Sequence, residues 1–218
     1  MASSDRRGRL SREQIVDAAA ATFYAKGYAD TTLARVAERL NVTDKAIYYY
    51  FDGKDELYLH TLEVCADRIA AVIAAVDRDR QSGFEKVKAF IRAMIRQPDY
   101  LRLHIRGLPL HLENTEPGQR IRAAERAHDA VLIRWIEEGI NDGSIVPGDP
   151  KMLWKWNEGG LVWLDVWSRR EGANGLPVRY EKEAMAMLDR SLARTPRTAV
   201  MPPVPADGST AAASPSTE

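Results

Sequence analysis

The chain has 218 residues, 45% of them hydrophobic, and its 31 basic and 31 acidic side chains cancel to a formal net charge of zero. That is enough apolar material for one large domain, or for a small and a medium one, and the balance excludes a protein that holds nucleic acid by bulk charge alone. The single cysteine, Cys65, excludes an intrachain disulfide and suits a reducing compartment. No apolar run resembles a signal peptide or reaches the roughly 20 residues of a membrane span, so the expected location is cytoplasmic, with no membrane partner.

Residues 1–9 are small, polar and basic, and are expected to form a disordered arm. A first helix is predicted over 11–26, with Ser11 as its cap and Gln14 completing a capping box. Ile15, Ala18, Ala19, Thr22 and Phe23 form its inner face, and Gly27 is expected to end it as a left-handed cap. Thr32 caps a second helix, on which Leu33, Val36, Ala37 and Leu40 recur at helical spacing. Asn41 then offers a left-handed turn, Val42 packs into the hinge, and Thr43 caps a third helix that carries Ile47 and Tyr50 inward. Thr43, Asp44, Lys45, Ala46, Tyr48 and Tyr49 are left to face outward. This is the pattern of a helix-turn-helix. Its balance of nine basic and nine acidic residues over 1–60 means that placement, and not composition, must carry any DNA binding.

Gly53 begins a long helix to about Arg80, with Asp55 and Glu56 favouring its positive end. Leu57, Leu62, Cys65, Ile69, Val72, Ile73 and Val76 form its stripe. Further helices are predicted from Gly83 to about Pro98, over 101–108, from Pro117 to about Gly143, from Pro150 to Arg170 and over 179–193, with 111–117 read as a polar loop. The helix after Pro150 is apolar nearly all round, so it must be covered on more than one side. Its Gly159-Gly160 pair costs roughly 1 kcal/mol per glycine against alanine, which close approach by a partner helix would justify. Nothing alternates like a sheet, so the chain is read as all-α. From Thr195 onward Pro, Ala, Ser and Thr dominate, and residues 195–218 are expected to be a disordered tail.

The spacing Ile15-x-x-Ala18-Ala19-x-x-x-Phe23-x-x-x-Gly27-Tyr28-x-x-Thr31-Thr32, then Val36-Ala37, Val42-Thr43, Ile47-Tyr48-x-x-Phe51 and Lys54-x-x-Leu57, resembles the N-terminal domain of TetR-family transcriptional regulators. The resemblance covers about residues 10–60. It implies an N-terminal three-helix helix-turn-helix DNA-binding domain over 10–52, followed over 53–194 by a helical ligand-binding and dimerisation domain. It also implies a dimer on a palindromic operator, released by a small-molecule effector, with the long helix from Gly53 as transmitter. The arm, read from composition as a solubilising tail, would in such a family reach the DNA backbone or minor groove. Asn41 departs from the family's usual glycine, and Asp44 places an acid at the start of the reading helix.

Under that resemblance Thr32, Tyr48 and Lys54 contact the DNA backbone, Lys54 as a mobile cation. Thr43, Asp44, Lys45, Ala46 and Tyr49 are left to read bases: Lys45 by donating to guanine, Asp44 by accepting from cytosine N4, Ala46 or Tyr49 by packing on a thymine methyl. Helix capping is the plainer role for Asp44, and packing for Tyr50. The expected effector lining is Ile69, Ile73, Phe90, Met94, Leu103, His104, Leu108, Trp135, Trp156, Asn157 and Trp163, which suits a hydrophobic or planar compound. The expected dimer contacts are Gly159, Gly160, Leu164, Trp167, Met187 and Leu188. An effector-independent DNA-binding dimer and an activator are the alternatives. Catalysis would have to rest on Cys65 with His60, or His104 with Asp99, and no phosphate loop or serine elbow accompanies them. His60, His104, His111 and His128 share no metal-ligand spacing, so no metal and no cofactor are expected.

Overall fold

The computed structural model describes residues 10–78, 81–96, 103, 107–170 and 180–194, the side chains of 164–170 excepted. The described helices are α1 (Arg12–Lys26), α2 (Leu33–Leu40), α3 (Asp44–Tyr48), α4 (Lys54–Asp77), α5 (Gly83–Arg96), α6 (Leu110–Glu113), α7 (Glu116–Asp142), α8 (Pro150–Arg170) and α9 (Glu181–Leu192). Among the described residues the extended pairing is confined to an isolated bridge between Ile145 and Ala193, so the all-α expectation holds. None of these helices is long and apolar enough to cross a membrane.

The helix ends follow local chemistry. Ser11 Oγ accepts from Gln14 N at 3.1 Å, and Gln14 Oε1 accepts from Ser11 N at 2.9 Å, closing the capping box at α1. Gly27 ends α1 with φ 83° and ψ 168°, an extended glycine-only conformation and not the left-handed cap expected. Thr32 Oγ1 accepts from Arg35 N at 3.3 Å, and Asn41 holds the left-handed φ 54°, ψ 44° that the turn demands. Thr43 starts α3 through its backbone only. Its hydroxyl makes no capping bond, because the neighbouring Asp44 carboxylate takes the local donor, Lys45 N, at 2.9 Å. The stretch 111–117 is more ordered than a polar loop. It holds α6 and then Thr115, whose hydroxyl caps α7 by accepting from Gly118 N at 3.1 Å.

Two hydrophobic cores form around one shared helix. The head core gathers Ile15, Ala19 and Phe23 of α1, Val36 and Ala37 of α2, Ile47, Phe51, and Leu57, Tyr58, Leu62 and Cys65 of α4. Leu103, Leu108, Leu112 and Ile121 complete it from much later in the chain. The body core takes Ile69 and Ile73 of the same α4, with Val87, Phe90 and Ile91 of α5, Leu132, Trp135 and Ile136 of α7, Trp154 of α8, and Met185, Leu188 and Leu192 of α9. Nonpolar burial of this kind supplies most of a domain's stability.

Helices α5 and α7 touch backbone to backbone. A Cβ at Gly83 would lie 2.2 Å from Gly139 N and 2.3 Å from Trp135 O, and one at Gly139 would lie 2.5 Å from Ile145 Cδ1. The end of α7 caps the start of α5: Asp142 accepts from Gly83 N at 2.9 Å, and Ser144 Oγ from Phe84 N at 3.2 Å. By contrast, a Cβ at Gly159 or Gly160 would meet nothing within 4 Å. Among the described residues the close approaches are therefore made at Gly83, Gly118 and Gly139.

Candidate nucleic-acid interface and body cavity

The head presents α3 outward. Ile47 is buried beneath it, while Thr43, Asp44 and Lys45 are exposed and Ala46 is half-buried. Tyr48 and Tyr49 are 54% and 73% exposed, which is unusual for large aromatic rings without something to cover them. Tyr50 turns back: its hydroxyl donates to the Leu10 carbonyl and its ring packs against the head core. Thr32 is exposed at the start of α2, beside the first backbone N–H groups of that helix.

Lys54 is not the mobile cation expected of it. Its ammonium donates to the carbonyls of Tyr28 at 3.1 Å and Ala29 at 3.4 Å and sits 4.3 Å from the centre of the Tyr28 ring. Three attractive contacts hold it against the turn between α1 and α2. Tyr28 itself donates to Asp55, and His111 Nε2 lies 3.1 Å from the same hydroxyl and 3.5 Å from Asp55 Oδ2. Burial, together with the hydrogen bond and charge of Asp55, pushes the Tyr28 hydroxyl well above its ordinary pKa. A head residue, the start of α4 and the α6 segment thus meet at one point.

The body holds a cavity of about 430 Å³ between α4, α5, α7 and α8. Ile69, Phe90, Met94, Ile95, Leu132, Trp154, Leu161 and Val162 supply apolar wall, Gly107 also lines it, and Arg122, Glu125, His128, Asp129, Lys155 and Glu158 supply polar wall. Of the predicted lining, Ile69, Phe90 and Met94 are on this wall. Ile73 and Trp135 are in the body core, where Trp135 Nε1 donates to Asp77 Oδ1 at 2.8 Å. Leu103 and Leu108 belong to the head core. His104 lies outside the described residues.

Trp156 and Trp163 are placed on the opposite side of α8, with Asn157 between the two faces. Positions 154, 158, 161 and 162 share one helical face and look into the cavity; 156, 160 and 163 share the other. That outer face forms a shallow groove of about 480 Å³ with Gly160, Met187, Leu188 and Ser191. Trp156 and Trp163 are 77% and 69% exposed there, and Met187 is 62% exposed. Asn157 is spent on joining α8 to α9, since its Oδ1 accepts from Ser191 Oγ at 2.7 Å. Residues predicted for effector and for dimer contact therefore converge on one apolar surface. Gly159 is half-buried beside it, and the side chains of Leu164 and Trp167 lie outside the described residues.

The cavity's charged wall was not foreseen from the sequence. Arg122 and Lys155 are 33 positions apart and nothing local links them, yet α7 and α8 bring both to one rim. Cys65, the one candidate nucleophile, is buried, and burial pushes its thiol up to about 12, so it carries no thiolate to react.

Residues 15–61 match the family described as bacterial regulatory proteins, tetR family. The biofilm operon icaADBC HTH-type negative transcriptional regulator IcaR of Staphylococcus aureus is 34% identical over 62 residues, which are 28% of this chain and 33% of that regulator. The match thus spans about a third of that relative's length. The whole described architecture resembles the ketosteroid transcriptional regulator KstR2 of Mycobacterium tuberculosis, with a TM-score of 0.69 at 15% identity, over 86% of this chain and 98% of that one. It also resembles AibR, solved in complex with isovaleryl coenzyme A and operator DNA, with a TM-score of 0.65 at 20% identity over 82% and 96%. Head motif and family match agree: residues 15–61 carry the N-terminal domain of the tetR family of bacterial regulatory proteins, and the rest of the described chain shares the fold of the solved regulators.

Proposed function

We propose that this protein is a transcriptional repressor that binds a near-palindromic DNA operator as a dimer and is released by a small hydrophobic or aromatic effector held in the body cavity. The observation that carries the reading is the outward face of α3, where Thr43, Asp44, Lys45, Tyr48 and Tyr49 stand exposed on a buried Ile47. Lys45, Ala46 and Tyr49 read base edges in the major groove; Thr32 and Tyr48 hold phosphates. Asp44 serves first to order the start of α3. Lys54 acts on DNA indirectly, by fixing the turn that presents Thr32.

One short reading helix covers only a few base pairs, so specificity needs two heads at a fixed spacing. The exposed groove on α8 and α9 is the surface on which a second copy would seat, with Gly160, Trp163, Met187 and Leu188 at its centre. Negative regulation is named for IcaR, and operator DNA with a small acyl thioester for AibR. Both support the reading by kinship. Gly107 gives the cavity its line to the head, through Tyr58 and the α6 segment.

The test is recovery of genomic fragments by the purified protein. A short near-palindrome protected by a dimer is the expected result. Recovery of no preferred sequence by effector-free protein would overturn it.

A further inference from the structure

We infer that the effector of the body cavity is a lipophilic cation, an apolar chain or ring system carrying one quaternary or protonated nitrogen. The inference rests on the cavity being the effector site. It comes from the charge around that cavity, not from its volume.

The wall is apolar over Ile69, Met94, Leu132 and Leu161, and two aromatic rings, Phe90 and Trp154, meet edge to face on it with centroids 6.3 Å apart. Such a wall takes a hydrocarbon body, and ring faces favour a cation over an anion. The polar wall is lopsided. Arg122 pairs with Glu113 and, at 2.9 Å, with Glu125. Lys155 pairs with Asp129 at 2.6 Å and with Glu158 at 2.7 Å. Each cation thus already holds two carboxylates, and Glu125, Asp129 and Glu158 all line the cavity, with His128 beside them. Asp129 is fixed further, since Trp154 Nε1 donates to its Oδ1 at 3.0 Å.

An incoming carboxylate would have to displace an acid from Arg122 or Lys155 and leave it facing a new like charge. An incoming ammonium need not break the pairs of Arg122 and Lys155. It adds a positive charge where, among the described residues of the wall, three acids stand against two bases, an attraction that needs no hydrogen-bond donor. Charge complementarity therefore selects the sign of the ligand, while the apolar wall selects its body.

The test compares three ligands of equal chain length on the full chain: decyltrimethylammonium, 1-decanol and decanoate, by titration calorimetry and thermal shift. Decyltrimethylammonium is expected to bind at least about tenfold more tightly than decanoate. Glu125→Gln and Glu158→Gln should each narrow that gap while leaving 1-decanol unchanged. A smaller gap, or a preference for decanoate, overturns the inference. If decanoate alone releases operator, the inference fails and the proposed repressor stands. If none of the three binds, the cation inference and the effector role of the cavity fall together, and operator binding on the same preparation judges the head separately.

Discussion

The Tyr58 hydroxyl donates to the Gly107 carbonyl at 2.9 Å, so a residue of the head core holds a residue of the cavity wall. The Tyr58 ring also packs against Phe23 at 4.7 Å and Tyr28 at 5.0 Å. Tyr58→Phe keeps those ring contacts and removes the hydroxyl. It should cost about 1 kcal/mol of stability. Operator affinity without effector should stay within about twofold, while release by a cavity ligand needs several-fold more ligand. Equal release curves for the variant and the parent protein would show that the hydroxyl carries no coupling.

Gly160→Leu separates the monomer from the dimer. Within one chain a side chain at Gly160 meets open space, so α8 gains about 1 kcal/mol of helix propensity. At a dimer interface the same side chain intrudes. Sedimentation should therefore show a monomer, and circular dichroism a helix content at least equal to that of the parent protein. A fully dimeric Gly160→Leu protein would move the contact elsewhere.

Gly83→Ala should be far worse than a typical glycine replacement. The new methyl would lie 2.2 Å from the backbone nitrogen of Gly139, and backbone cannot step aside as a side chain can. A loss of about 3 kcal/mol in urea unfolding is expected.

Lys54→Ala should weaken binding to operator and random DNA alike, because the turn before Thr32 loses its clamp. The dependence of log affinity on log salt should change by less than about one unit. A full unit's loss would place the ammonium on a phosphate.

Asp77 supplies a pH signature. Hydrogen bonds from Arg134 and Trp135 hold its carboxyl down from 3.8 to about 2. A depressed folded pKa means stability that is present above the ordinary value and lost as pH falls through the folded one. The difference in melting temperature between the parent protein and Asp77→Asn should therefore be constant above pH 3.8 and shrink toward pH 2. A difference that grows with acid would reverse the assignment.

The head was legible because its signals are local. Ser11 with Gln14, Thr32 and Asn41 each act within four residues, and their chemistry is the same in a peptide as in a fold. The cavity was legible only in part. Ile69, Phe90 and Met94 fall on it by simple helical spacing, but the choice between Trp154 and Trp156 depends on how α8 is rotated about its axis, which tertiary packing sets. The same rotation sends Trp163 outward. Lys54 misled because an exposed cation near a helix start reads as free, and only the folded turn brings two carbonyls and the Tyr28 ring beneath it.

The sharing of α4 between two cores bears on how the protein can be dissected. A fragment ending at residue 62 would retain every side chain proposed to touch DNA, yet it would strip Cys65, Leu108, Leu112 and Ile121 from the interior those side chains stand on. Deleting the body would thus unfold the reader instead of freeing it. Under the proposed function, unregulated variants must come from substitutions that leave both interiors filled, and thermal unfolding should run as one cooperative transition and not as a head melting ahead of its body.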